Sequence, residues 1–511
     1  MRRAPWGVVL AALGAIALAG TVSGCGMSVF FPVVDESTPT GEEVDAALEP
    51  YYGQVIRWED CGEFQCATAL APLDWDAPRS GEIELALIRQ PARHEREGTL
   101  LVNPGGPGVS GYDAVARSLD LTATATLRDR YDIVGFDPRG VGRSTAVDCY
   151  DDAGLDQVVF GVPNGVRGTN TWLTAQNELT HSLGRACARE SGALLENVDT
   201  LSAARDLDML RAALGEEQLD YLGYSYGAYL GTVYAGTFPA RVGRMVLDGP
   251  IDPAIGQFEI ALAQAKGLET ALRSYLATCM PAATCPFQGT ADDAMTIIRE
   301  MLELVGKNPI PSTDGRALTS DTLLIAIAAP LYDRQTWPVL DQVLTTVVAG
   351  QAEFALSIVD GYYGRTPEGA YTSNLFEALR SITCADYPAQ NNVEVMKEQA
   401  RQLNAAAPYL GVFLTYGDMA CLSWPHHPEQ PRAPIAAPGA APILVLGTTN
   451  DPSTPYEWAV AVGTQLESGI LVTREGDGHT AFNKGNACVD DTVEQYLVDG
   501  VVPPADVTCP P

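Results

Sequence analysis

The chain has 511 residues, 46% of them hydrophobic and 19% charged, enough apolar material to bury a large core. A formal net charge of −32 excludes nucleic acid and anionic lipid surfaces as electrostatic partners. The acidity reads instead as the solubility charge of an exported protein.

The elements follow in chain order. Arg2 and Arg3 precede an apolar run at 8–19 that is too short to favour a spanning helix. Val22-Ser23-Gly24-Cys25 then places small residues before a cysteine, as in a bacterial lipobox. We read 1–25 as a lipoprotein signal peptide, with Cys25 lipidated after cleavage and serving as the membrane anchor. An ordinary signal peptide with an incidental cysteine is the alternative. Residues 26–50 read as a tether.

Residues 82–89 alternate Ile83, Leu85 and Leu87 with more polar or small neighbours, a half-buried strand. A short apolar strand at 99–103 runs into Pro104-Gly105-Gly106-Pro107-Gly108, and another at 131–136 ends in Asp137-Pro138-Arg139-Gly140. Residues 201–214 carry Leu207, Leu210 and Leu214 on one helical stripe, with Thr200 as N-cap and Gly215 as C-cap. A strand at 218–222, the turn Gly223-Tyr224-Ser225-Tyr226-Gly227, a helix over 228–236 and a strand at 244–248 follow. Strands alternating with helices imply a mainly parallel sheet.

From 251 to 424 the pattern is helical, with candidate helices at 260–276, 291–305 and 318–329. Six prolines in 425–442 mark a return linker, and strands resume at 442–447 and 469–473. The expected organisation is therefore one α/β sheet built from 51–250 and 443–511, with a helical lid at 251–424.

Eleven cysteines leave an even ten once Cys25 is set aside. Cys61, Cys66, Cys149, Cys187, Cys279, Cys285, Cys384, Cys421, Cys488 and Cys509 suit the disulfide framework of an exported chain, sequential pairing being the simplest of many connectivities. No C-x-x-C pair occurs and no histidine stands at a metal-ligand spacing from a cysteine, so no metal site is expected.

The turn at 223–227 is a G-x-S-x-G element between a strand and a helix, the setting of a nucleophile elbow. A serine hydroxyl needs a base, and the base needs an orienting carboxylate. Of five histidines, His94 reads as turn surface, His181 lies in a polar helical stretch, and His426 and His427 sit in the proline-rich return. His479, in a loop after the last of these strands, is the expected base. Asp451, just past the strand at 442–447, is the expected carboxylate; Asp248 and Asp477 compete for that role. The order Ser225, Asp451, His479 is that of α/β-hydrolases. Backbone N–H groups of Gly106 and Tyr226 are the expected oxyanion hole.

Asn103-Pro104-Gly105-Gly106-Pro107-Gly108 and the serine turn resemble the proline iminopeptidase group of α/β-hydrolases. Trp58, Cys61, Cys66-Ala67, Pro72-Leu73-Asp74 and the run from Asp137 to Ser144 extend the match, as do Asp451-Pro452-Ser453-Thr454-Pro455-Tyr456, Gly478-His479-Thr480, Cys488 and Cys509. With these the chain resembles the actinobacterial tripeptidyl aminopeptidase family over nearly all its mature length. The resemblance implies an α/β-hydrolase fold and hydrolysis of peptides from a free N-terminus, with esterase activity possible and no cofactor. It further implies lid acids that bind the substrate amine; Glu259, Asp292 and Asp293 are among many and no motif selects one. The substrate expected is a peptide or small ester. Two other readings remain: a cell-envelope carboxylesterase or lipase using the same triad, and a non-catalytic surface-binding lipoprotein.

Overall fold

Both faces of the central strands are covered, so their apolar runs divide by alternation between two separate cores. Leu101, Tyr221, Met245, Leu247, Ile443 and Val445 enter one core. Their neighbours Leu100, Val102, Leu222, Val246, Leu444 and Leu446 enter the other. The structure, a computed structural model, describes residues 35–282, 285–428, 432–504 and 507–511. The expected signal peptide and Cys25 lie outside the described residues.

The strands are β1 (Asp35–Glu36), β2 (Arg57–Cys61), β3 (Phe64–Pro72), β4 (Glu82–Gln90), β5 (Gly98–Asn103), β6 (Tyr131–Phe136), β7 (Leu219–Tyr224) and β8 (Val242–Asp248). A two-stranded ribbon within the lid follows, β9 (Ile310–Pro311) with β10 (Ala317–Leu318). The sheet is then completed by β11 (Ile443–Asn450), β12 (Gly469–Asp477) and β13 (Val507–Cys509). Its order is β1-β2-β3-β4-β6-β5-β7-β8-β11-β12-β13. Neighbours from β1 through β4 to β6 are antiparallel. From β6 to β13 the pairs are parallel. The chain thus has an α/β-hydrolase fold, a mainly parallel sheet with a helical lid. The antiparallel strands β2 and β3 had no sequence expectation.

Several boundaries shift. The helix expected at 201–214 spans Thr200–Ala213, and its N-cap is Asp199, whose carboxylate accepts from Ser202 N at 2.9 Å. Thr200 is instead held by Asp386, through its amide at 2.8 Å and its hydroxyl at 2.5 Å. From Asp35 on, the stretch assigned to the tether lies on the core. Thr40 N donates to Ala212 O at 3.0 Å, and Glu42 pairs with buried Arg211 at 2.6 Å.

The lid helices are Gln257–Cys279, Ala291–Lys307, Ser320–Ala328, Trp337–Val348, Glu353–Tyr363, Leu375–Asp386 and Val393–Ala406. Most of them share a core of their own, with Leu272, Ile298, Leu302, Leu340 and Leu356 fully or almost fully buried. Disulfides join Cys61 to Cys66, Cys149 to Cys187, Cys279 to Cys285, Cys384 to Cys421 and Cys488 to Cys509, the sequential pairing. Fully buried Arg139, from the Asp137-to-Ser144 run, pairs with Asp206 at 2.6 Å and reaches the carbonyls of Pro72, Leu73 and Asn197. That run therefore braces the loops above the sheet.

Candidate active site

Ser225 occupies the tip of the turn from β7 to the helix Tyr226–Thr237, at φ 56° and ψ −121°. A non-glycine residue takes a positive φ only where its surroundings enforce it. Here its amide donates to Asp248 O at 2.8 Å, and the flanking glycines let the strand and helix close up. A Cβ on Gly223 would stand 2.4 Å from Gly227 O, and one on Gly227 2.4 Å from Asn103 O. Serine is the part-exposed residue at this tip, between buried Tyr224 and Tyr226.

His479 stands two residues beyond β12, which runs four residues further than its apolar stretch suggested. Asp451 follows β11 directly and is 2% exposed. Its carboxylate meets the Nδ1 of His479 at 3.0 Å (Oδ1) and 2.9 Å (Oδ2). Three backbone amides and a hydroxyl hold that carboxylate in place. Ser453 N and Thr454 N each donate to Oδ1 at 2.8 Å, Thr480 N donates to Oδ2 at 3.0 Å, and Thr454 Oγ1 donates to Oδ2 at 3.1 Å. Thr454 Oγ1 also lies 3.3 Å from His479 Nδ1.

The competing acids are used elsewhere. Asp248 accepts from Ala481 N and Phe482 N at 2.8 Å, clamping the loop after the histidine. Complete burial pushes its carboxyl up to about 6, against the pull of those amides and of His479. Asp477 accepts from Asn450 at 3.0 Å. The other four histidines are remote: His94 is exposed beside Asp129, His181 is exposed on the helix Asn170–Ser191, and His426 pairs with Glu196. His427 is exposed on the proline-rich return.

The glycine loop after β5 lies directly on the serine turn. Gly105, at φ +98°, is so close that a Cβ there would stand 2.5 Å from Tyr224 O and 3.1 Å from Tyr226 N. The Gly105 amide is taken by Asn103 Oδ1 at 2.9 Å. The amides of Gly106 and Tyr226 have no acceptor among the described residues. A free N–H next to the serine, at Tyr226, and a second on the glycine loop packed against that turn, at Gly106, are of the kind that stabilise negative charge developing on a carbonyl oxygen.

The lid completes the site. The helix Leu375–Asp386 sits against Gly108, and Tyr332 packs its ring on His479 at 5.1 Å between centroids. A cavity of ≈ 530 Å³ opens between the lid and the sheet, lined among others by Pro104, Val109, Tyr224, Tyr332, Tyr362 and His479. The one lid carboxylate among its described lining residues is Asp333, 3.6 Å from Lys484. Of the three acids the sequence offered, Asp293 caps the helix Ala291–Lys307 and Asp292 pairs with Arg273 at 2.7 Å. Glu259 lines a separate cavity behind the Asp451 loop.

Sequence reasoning assigned no role to Thr454 or Tyr332. Thr454 had a local signal, since an Asp followed by serine and threonine closes a turn onto its own carboxylate. Tyr332 had none, because its contact with His479 is made only by the lid folding back.

Residues 407–509 match the family described as TAP-like protein. The chain is 35% identical over 483 residues to serine protease Hip1 of Mycobacterium tuberculosis, covering 90% of this chain and 92% of that one. It is 36% identical over 479 residues to carboxylesterase B of the same organism, covering 89% and 90%. It is 31% identical over 473 residues to tripeptidyl aminopeptidase of Streptomyces lividans, covering 89% and 87%.

Proposed function

Since the chain belongs to the tripeptidyl aminopeptidase-like family of α/β-hydrolases and is a serine hydrolase, we propose that Ser225, His479 and Asp451 form its triad and that it releases short peptides from free N-termini. The observation that carries this reading is the contact between Asp451 and His479 Nδ1 at 2.9 Å, at the same C-terminal end of the parallel strands as the strained Ser225.

In this reading Ser225 Oγ attacks the scissile carbonyl while His479 Nε2 takes its proton. Asp451 holds the imidazole so that Nδ1 carries the other proton, and stabilises the imidazolium. The Gly106 and Tyr226 amides receive the oxyanion, each such donor being worth ~10²–10³ in rate. The proton on His479 then goes to the leaving amine. Water, deprotonated by His479, releases the acyl group and restores Ser225.

Selectivity for a free amine rests on Asp333, the lid carboxylate in the cavity beside His479. Its Lys484 partner is loose enough at 3.6 Å to be exchanged for a substrate ammonium. The relative named carboxylesterase B supports a second reading, hydrolysis of acyl esters by the same triad. A tripeptide anilide, its N-acetylated twin and a short-chain aryl ester separate the two, with Ser225→Ala as control. Cleavage of the free amine but not the blocked one is expected; turnover of the ester alone would make the protein a carboxylesterase.

Export with a lipid anchor on Cys25 fits the N-terminal pattern and the paired cysteines. Release of Cys25→Ser from the membrane fraction is the expected result.

A further inference from the structure

A second cavity, of ≈ 390 Å³, lies away from the triad between the helix Asn170–Ser191 and the lid. Much of its wall is apolar or aromatic, with Trp172, Tyr363, Phe376, Phe413 and Tyr416 contributing. Among its described lining residues three carry charge: Arg167, Asp321 and Arg380. Arg167 and Asp321 form an ion pair, and Arg167 also lies over the Trp172 ring at 5.0 Å. That leaves Arg380. Its guanidinium stands 6.0 Å from the Phe376 ring and has no carboxylate, carbonyl or hydroxyl acceptor among the described residues.

An uncompensated cation half-buried against aromatic walls is costly, because the walls displace part of its water without supplying a counter-charge. The desolvation is enough to pull the Arg380 pKa below its ordinary value. It is also out of character for this chain, whose net charge is −32 and whose two fully buried guanidiniums, Arg139 and Arg211, are paired, whereas half-buried Arg380 is not. An arginine that served only to fill space would be better replaced by methionine. A guanidinium fork with aromatic walls is suited to a planar carboxylate carrying an apolar body.

We propose that this cavity binds the carboxylate of an amphipathic organic acid, with Arg380 as the anion-binding group and the Trp172–Tyr416 side holding its apolar body. Two sources share that chemistry, the C-terminus of a peptide and a free aryl-alkanoic acid. Neither requires Ser225, so the site stands or falls independently of the triad.

Calorimetric titration tests it with 3-phenylpropionate and N-acetylphenylalanine, each set against its carboxamide. Enzyme phosphonylated at the triad serine is titrated in parallel. One acid or both should bind with unit stoichiometry in free and phosphonylated enzyme, and the amides at least tenfold more weakly. The stronger of the two acids identifies the source. Arg380→Met should lose the binding tenfold or more while its melting temperature holds or rises, since no protein partner is removed. Should that variant fail to fold, Trp172→Phe reads the same site: an acid-induced change in tryptophan emission should vanish with it. No binding of either acid, equal binding of acid and amide, or undiminished binding by Arg380→Met would overturn the proposal.

Discussion

The backbone N–H of His479 donates to the carbonyl oxygen of Tyr332 at 2.8 Å, so the expected base is held directly by the lid. Ring packing at 5.1 Å reinforces this tie, and Lys484–Asp333 spans the same junction. Any movement of the lid would therefore move the support of the imidazole, which ties the position of the lid to the alignment of the expected base.

Truncating Tyr332 tests that link. Tyr332→Ala should lower kcat roughly 10–100-fold, the cost of a small misplacement of a reacting group, with a smaller change in KM. Tyr332→Phe, which keeps the ring, should restore kcat. A change in KM alone would assign Tyr332 to binding.

Thr454 braces the acid and the base together, since its hydroxyl lies 3.1 Å from Asp451 Oδ2 and 3.3 Å from His479 Nδ1. Thr454→Val preserves shape and the backbone donor to Asp451. It should cost about tenfold in kcat, the worth of one hydrogen bond to a charged group. Asp451→Asn should cost far more, ~10⁴, because the imidazole then loses its correct tautomer. Steady-state kinetics on one anilide substrate compares both.

How far this site was legible in the sequence depends on whether each contact is local. The elbow, the glycine loop and the acid-then-base order are short motifs tied to strand ends, and the strands are apolar runs bounded by turn residues. Thus β6 spans Tyr131–Phe136 as its short apolar run indicates, and Asp451 and His479 meet as their positions after β11 and β12 suggest. The strands β2 and β3 were missed because they include exposed polar residues such as Glu59, Asp60 and Thr68, which weaken the apolar signal. Asp199 caps the helix where the sequence pointed to Thr200, because either residue type can cap; Thr200 is drawn off by Asp386, far along the chain. The roles of Tyr332, Asp333 and Arg380 depend on how the lid docks, which no local pattern encodes.

Glu377 gives a pH-dependent prediction. This lid residue is 3% exposed, and its Oε1 accepts from Cys149 N at 2.7 Å and Tyr150 N at 3.2 Å. Burial pushes its carboxyl up to about 7 from an ordinary 4.5, the amides pulling the other way. Between those values the folded protein retains a proton that the unfolded chain releases, so stability falls as pH rises from 4.5 to about 7. Glu377→Gln keeps the accepting oxygen and cannot ionise. Chemical denaturation should show the variant more stable than wild type at pH 8, by on the order of 1–3 kcal/mol, and indistinguishable near pH 4. Equal curves at both pH values would show that Glu377 does not carry this shift.

Asp333→Asn addresses amine recognition. It should raise KM for the free-amine anilide about 3–10-fold, as expected for a partly exposed ion pair, and leave the aryl ester unchanged. An equal effect on both substrates would place Asp333 in the support of the lid instead.

The most direct test of the account is to label the protein with a fluorophosphonate and map the adduct by peptide mass spectrometry, with Ser225→Ala alongside. One adduct, on Ser225, is predicted, together with a loss of hydrolysis on the order of 10⁴–10⁶-fold in the variant. An adduct on another residue, or a Ser225→Ala protein that keeps most of its activity, would contradict it.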